Sequence, residues 1–178
     1  MMLRTYRATL LLLPLLTIVV ACGEPTAPGA HGPASVFSMA EQGRPVQLVT
    51  CPSKEFVLSF AMLGPQGGTM TGGPVTMDVP PGALPTGRLF VISVPRSRYL
   101  EMQIAAVGVE HFIFDLPVTI TVDYSRCDLD QLDEQSLTAW FVDTQSLLPI
   151  EPMATEDDRL ARRAVFITDH LSRYALAQ

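Results

Sequence analysis

From about residue 45 onward, apolar and polar residues alternate in short runs, the period of strands buried on one face. In Pro117–Tyr124, the residues Val118, Ile120, Val122 and Tyr124 share one face, and Thr119, Thr121 and Asp123 share the other. Leu137–Asp143 places Leu137, Ala139 and Phe141 on one side and Thr138, Trp140 and Val142 on the opposite side. The same reading predicts strands at Val46–Cys51, Phe56–Met62, Val75–Val79, Arg88–Val94, Tyr99–Val107, Glu110–Asp115, Ala164–Thr168 and Arg173–Ala177. Turn chemistry separates them at Gly64-Pro65-Gln66-Gly67-Gly68, Gly72-Gly73-Pro74 and Pro80-Pro81-Gly82. Proline presets the φ of a turn and glycine accepts its positive φ. Short helical turns are expected near Ala83–Leu84 and Leu129–Leu132, and Glu156-Asp157-Asp158 reads as a hairpin tip. The pattern predicts an all-β fold, an antiparallel two-sheet β-sandwich. Its core is expected to include Phe112, Phe114, Val118, Ile120, Val122, Leu137 and Phe141, with Trp140 also packed inside.

The amino terminus has a different pattern. Met1 to Arg7 is short and basic, and Ala8 to Val20 is an apolar run broken only by Thr9, Pro14 and Thr17. That run is short for a bilayer span and suits the core of a signal peptide. It ends in Val19-Val20-Ala21-Cys22. This order resembles the lipobox of bacterial lipoproteins. The resemblance implies that the Cys22 thiol is alkylated by diacylglycerol, that residues 1–21 are removed as a signal peptide, and that the new amino terminus is acylated. Thioether formation needs a nucleophilic sulfur, which is why a Cys is required there. Gly23, not Asp, follows. For a bacterial lipoprotein this implies the cell envelope, with the outer membrane favoured. An ordinary secretory signal with a chance Cys is the alternative. Residues 22–43 then form a lipid-anchored flexible tether, rich in Pro, Gly and Ala and without apolar periodicity. His31 lies in it and is expected to be solvated. Residues 44–178 form the sandwich domain.

Composition agrees with one packed domain. Of 178 residues, 48% are hydrophobic and 17% charged, too apolar for a disordered chain. The formal charge is −6, and loss of Arg4 and Arg7 with the signal leaves −8. An acidic body without a basic run argues against nucleic-acid binding. The expected partners are the membrane, through the lipid anchor, and another envelope protein or glycan. No cofactor is implied. With Cys22 acylated, Cys51 and Cys127 remain in an oxidising compartment. A disulfide between them is expected, two separate buried thiols being the alternative.

Four features of the body resemble a known family. Gly67-Gly68 precedes a Gly-rich turn and the strand Val75–Val79. The turn Val79-Pro80-Pro81-Gly82-Ala83-Leu84-Pro85 follows, then Phe114-Asp115-Leu116-Pro117-Val118-Thr119-Ile120. The tail contains His170-Leu171-Ser172-Arg173-Tyr174-Ala175. In this order they resemble the ZU-five domain, the β-sandwich module of zonula-occludens proteins, netrin receptors and ankyrins, over about residues 64–178. Residues 36–62 are not covered.

Some members of that family, and the related autoproteolysis domain of adhesion receptors, cut themselves at a His-x-Ser or His-x-Thr tripeptide. Carried over by resemblance, Ser172 would attack the Leu171 carbonyl, His170 would take the hydroxyl proton, and water would split the ester. The alternative is a tight turn whose side chains bond to backbone. A cut would detach only Ser172–Gln178, which reads as the closing strand, and this favours the turn. A non-enzymatic binding or structural module is therefore the expectation, with self-cleavage between Leu171 and Ser172 as the alternative. Asp128, Asp130 and Asp133, with Glu134, have the chemistry of a hard-cation loop. They lack the Gly and the distant Glu of an EF-hand loop, and a solvated acidic loop is preferred. His111 beside Glu110 is too isolated for a zinc triad.

Overall fold

Val118, Ile120 and Val122 alternate with Thr119, Thr121 and Asp123, and they form one buried side of a long central strand in the computed structural model. The structure describes residues 46–52, 55–127 and 136–178. Eleven strands follow in chain order: β1 (Val57–Leu63), β2 (Gly68–Gly72), β3 (Val75–Val79), β4 (Arg88–Val94), β5 (Glu101–Ala106), β6 (Ile113–Asp123), β7 (Thr138–Val142), β8 (Pro149–Pro152), β9 (Thr155–Asp158), β10 (Arg163–His170) and β11 (Arg173–Ala177). They make two antiparallel sheets, ordered β1-β4-β5-β11-β7-β8 and β2-β3-β6-β10-β9. Neither sheet has a parallel pair, and among the described residues there is no α-helix. The two-sheet β-sandwich expected from the alternation is the fold.

The inner faces meet in one large core. Tyr124, Tyr174, Phe90, Phe166 and Met77 are its largest fully buried side chains. Phe90, Phe112 and Phe114 cluster with ring centroids 4.9 to 5.7 Å apart, at separations favourable for aromatic pairs. Five of the seven residues expected in the core are buried. Phe112 and Phe141 are half-buried and pack against it from the rim. Trp140 lies instead on the outer face of the six-stranded sheet. There it joins a smaller cluster with Val46, Leu48, Val142, Ala175 and Ala177.

Several element boundaries differ from the pattern. Glu110–Asp115 and Pro117–Tyr124 are not two strands. Ile113–Asp123 is continuous through Pro117, and Glu110 and His111 precede it in a bend. A proline is tolerated there because the β10 register shifts between Thr168 and His170, so no ladder bond is needed from residue 117. Gly68–Gly72 is a strand despite its glycines, held by pairing with β3. Glu156-Asp157-Asp158 belongs to β9, and the turn falls after it, with Arg162 at a φ of 53°. Ala83 follows a hydrogen-bonded turn, its N–H donating to the Pro80 carbonyl at 3.2 Å, with no helical turn. The turn near Leu129–Leu132 lies outside the described residues.

Residues 46–51 make only isolated bridges, yet they complete the six-stranded sheet. β5 and β11 pair at Glu101–Gln103 and splay apart beyond it. The incoming chain wedges between them, running first along the end of β11 and then along the approach to β5. Three backbones close a ring at the fork. Val49 N–H donates to Leu176 O at 2.8 Å, Leu176 N–H to Leu100 O at 3.0 Å, and Leu100 N–H to Val49 O at 3.1 Å. All three residues are buried, so pairing is obligatory for their polar groups. The wedge ends at Cys51, which is disulfide-bonded to Cys127 just beyond β6, as expected from the cysteine arithmetic.

Candidate functional site

The chain crosses from the five-stranded to the six-stranded sheet between β10 and β11, at Leu171-Ser172. The crossing is built by its neighbours. The Thr168 hydroxyl, buried, donates to the His170 carbonyl at 2.9 Å, and the Tyr174 hydroxyl donates to the same carbonyl at 2.7 Å. Leu171 N–H donates to Phe112 O at 3.1 Å, and Ile104 N–H donates to Ser172 O at 3.0 Å. The tripeptide is thus tied to β5, to the residue before β6 and to its own flanks. Burial pushes the Tyr174 phenol up to about 12, which keeps it a neutral donor.

The His170 ring is turned toward Asp169, with Nδ1 3.0 Å from Oδ1, and lies 3.4 Å from Thr168 Oγ1. That contact holds the Asp169 carboxyl below its ordinary range. The ring also packs edge-on to Phe141, centroids 6.0 Å apart. Among the described residues, no hydrogen bond joins it to Ser172 Oγ. None of His170, Leu171 and Ser172 has a positive φ. The structure brings the two side chains to one neighbourhood and engages the ring elsewhere.

That neighbourhood is a groove of about 650 Å³. β5 forms one wall, the end of β7 with Asp143-Thr144 forms another, and the bend at Glu110–Phe112 closes one end. His170, Leu171, Ser172 and Arg173 line it, as do Ile113 and Ile150. Both described histidines, His111 and His170, therefore border one groove. Asp143 beside it accepts the N–H groups of Ser146 and Gln145 and the Ser146 hydroxyl, and these bonds lower its carboxyl. Apolar walls with carboxylate, imidazole and guanidinium groups suit a ligand carrying both apolar and polar groups.

No family model and no curated protein matches this sequence significantly.

Two groups that tie distant elements together were not legible in the sequence. Glu101 is 3% exposed and receives the Arg173 guanidinium through Nε at 2.9 Å and through Nη2, while Nη1 donates to the Thr144 carbonyl. Arg173 thereby ties β11 and β5 to the loop after β7. The only sequence signal was an acidic residue within a strand of largely apolar rhythm. Asp157 is the second. Its Oδ1 accepts the Tyr124 hydroxyl at 2.5 Å and its Oδ2 accepts Leu137 N–H at 2.8 Å. Among the described residues, no cluster of His, Cys, Asp and Glu has the arrangement of a metal site. Cys22, His31, Asp128, Asp130, Asp133 and Glu134 lie outside the described residues.

Proposed function

We infer that this chain is a lipid-anchored envelope protein whose β-sandwich is a binding module and not an enzyme. The anchor rests on the order of a basic start, a short apolar core and Ala21-Cys22. The non-enzymatic reading rests chiefly on one observation. The His170 ring is engaged by Asp169 and Thr168, while its carbonyl is held by Tyr174, an arrangement suited to fixing a crossing between sheets. The adjacent groove is then the surface offered to an envelope protein or glycan. The ZU-five resemblance is supported by the packing of two of its motifs. A Cβ at Gly67 would lie 2.3 Å from Val79 O and 2.7 Å from the Pro80 carbonyl carbon, so the Gly-rich turn seats directly on the Pro-Pro-Gly turn. Self-cleavage remains the second reading because His170 and Ser172 border the same groove.

One measurement tests both parts. The protein is isolated from bacterial cells fed a labelled fatty acid, and its denatured mass is recorded. The expected species begins at an acylated Cys22 and runs through Gln178. An unlabelled protein would remove the anchor from the reading. A fragment ending at Leu171, present in the wild type and absent in Ser172→Ala, would make the domain autoproteolytic.

A further inference from the structure

β1 is the edge of the six-stranded sheet, and its outer face is apolar throughout. Phe56, Leu58, Phe60 and Met62 are 57%, 49%, 58% and 68% exposed. Val91 and Ala105 continue the patch inward, in register with Phe60. Phe56–Leu63 contains no charged residue and no proline, and its pairing with β4 has no bulge. Edge strands are ordinarily guarded by one of these devices, because an open edge templates further pairing.

The backbone of this edge has a defined direction. Val107 N–H donates to Leu89 O at 2.9 Å, so Leu89, Val91 and Ser93 turn their polar groups toward β5. The alternate residues Arg88, Phe90, Ile92 and Val94 face β1, where their partners are Leu63, Ala61, Ser59 and Val57. The N–H and C=O groups of Leu58, Phe60 and Met62 must then point away from the sheet. Among the described residues, no strand pairs with them. The same three residues carry the exposed side chains.

We propose that β1 pairs antiparallel with β1 of a second copy, about a two-fold axis through Phe60, joining the two six-stranded sheets into one. In that register Phe60 faces Phe60 and Leu58 faces Met62 in both directions, so one surface is its own complement, as a two-fold interface requires. The strand that makes the contact is uncharged, so no like charges face each other across it. Each large side chain there exposes on the order of 100 Å². Pairing sets four such side chains from each copy flank to flank on one face of the joined sheet, where they are covered in part, and the backbone edge supplies the rest of the contact. Cross-strand pairs of this type and the backbone bonds act together, since neither alone would hold two copies.

The test uses the full chain in mild detergent, with the protein mass measured by sedimentation after subtracting detergent. Wild type is expected at twice the mass of the chain, falling to the single mass in Phe60→Lys and in Phe60→Pro. Proline is informative because the residue 60 N–H faces outward, so the β4 ladder loses no bond. Ile167→Lys, exposed on the opposite sheet, should remain double. Circular dichroism shows whether each variant is folded. Amide exchange adds a readout independent of mass. The Leu58 and Met62 amides should exchange on the order of tenfold more slowly in wild type than in Phe60→Lys, while Ser59 and Ala61 change little. A wild type of single mass overturns the proposal. Protected Leu58 and Met62 amides in that single-mass protein would assign the edge to another segment of the same chain. A doubled mass that persists in Phe60→Lys would place the contact elsewhere and equally overturn it.

Discussion

Asp157 shows how much one side chain can organise. It sits on an edge strand of the five-stranded sheet, and each of its oxygens holds a different element. Tyr124 follows β6 and is 1% exposed, and Leu137, also 1% exposed, precedes β7. Burial and the Asp157 carboxylate together raise the Tyr124 phenol, which remains a donor. Asp157→Ala leaves the buried Leu137 N–H without its partner and the Tyr124 hydroxyl with only the Asp158 carbonyl at 3.5 Å, each loss costing about 1–3 kcal/mol. Chemical denaturation should show a loss of about 2–4 kcal/mol. Asp157→Asn keeps one acceptor and should lose about half as much. A loss near zero for the alanine variant would mean that water replaces the carboxylate. In the sequence, Glu156-Asp157-Asp158 looked like any acidic turn. Nothing local distinguishes the middle residue, because its partners lie 33 and 20 positions away.

Among elements, the wedge at residues 46–51 depends most on distant parts of the chain. Its apolar alternation was visible, but its pairing was not, because it joins the approach to β5 and the end of β11 by a few bonds each. The disulfide from Cys51 to Cys127 spans 76 positions and pins the wedge to the end of β6. In the chain-entropy account, a loop of that length is worth on the order of 4 kcal/mol. The double variant Cys51→Ala with Cys127→Ala should lose stability of that order in denaturant melts. Exchange protection should fall first at Val49, Leu100 and Leu176, whose mutual bonds the bridge holds in place. Uniform loss across both sheets would show that the wedge unfolds only with the whole domain. The β10–β11 crossing behaves similarly. Its residues could be named from the sequence, while the engagement of the His170 carbonyl by Thr168 and Tyr174 depends on how the strand returns.

At the scale of the whole molecule, the ionisable groups bound a pH window. Asp123, Asp143 and Asp169 are lowered from 3.8, Asp123 by Ser125, Asp143 by Ser146 and Gln145, and Asp169 by His170. Such groups add stability above their unfolded value, and this is lost as pH falls through the lower folded one. Tyr174 has the opposite sign. Its phenol is raised from 10.0 to about 12, so its contribution is complete below pH 10.0 and disappears as pH rises through about 12. Tyr124 is raised in the same sense. Thermal midpoints should therefore be lowered below about pH 4 and again above about pH 10 by these groups. Tyrosinate absorbance from Tyr124 and Tyr174 should appear only together with loss of near-ultraviolet circular dichroism. Ionisation of all the tyrosines near pH 10, with the tertiary signal intact, would contradict the burial of these two.

The sequence alone determined the strand class, most of the buried face of β6 and the sandwich, and it made the Cys51–Cys127 pairing the expectation. Alternation reports which side of a strand avoids water, and the two cysteines within residues 44–178 have one partnership with each other available. The tertiary structure decided which strands are neighbours, because pairing joins residues far apart in the chain. It decided that Pro117 could lie within a strand, since only the β10 register shift removes the demand for its missing N–H. It decided that Trp140 packs outside rather than inside, since both faces of β7 carry apolar residues and the wedge, with Tyr99 and Leu147, covers the second. It also decided that the apolar side chains of β1 face outward on an open edge. A period of two separates the faces of a strand, but only sheet order says which face and which edge remain uncovered.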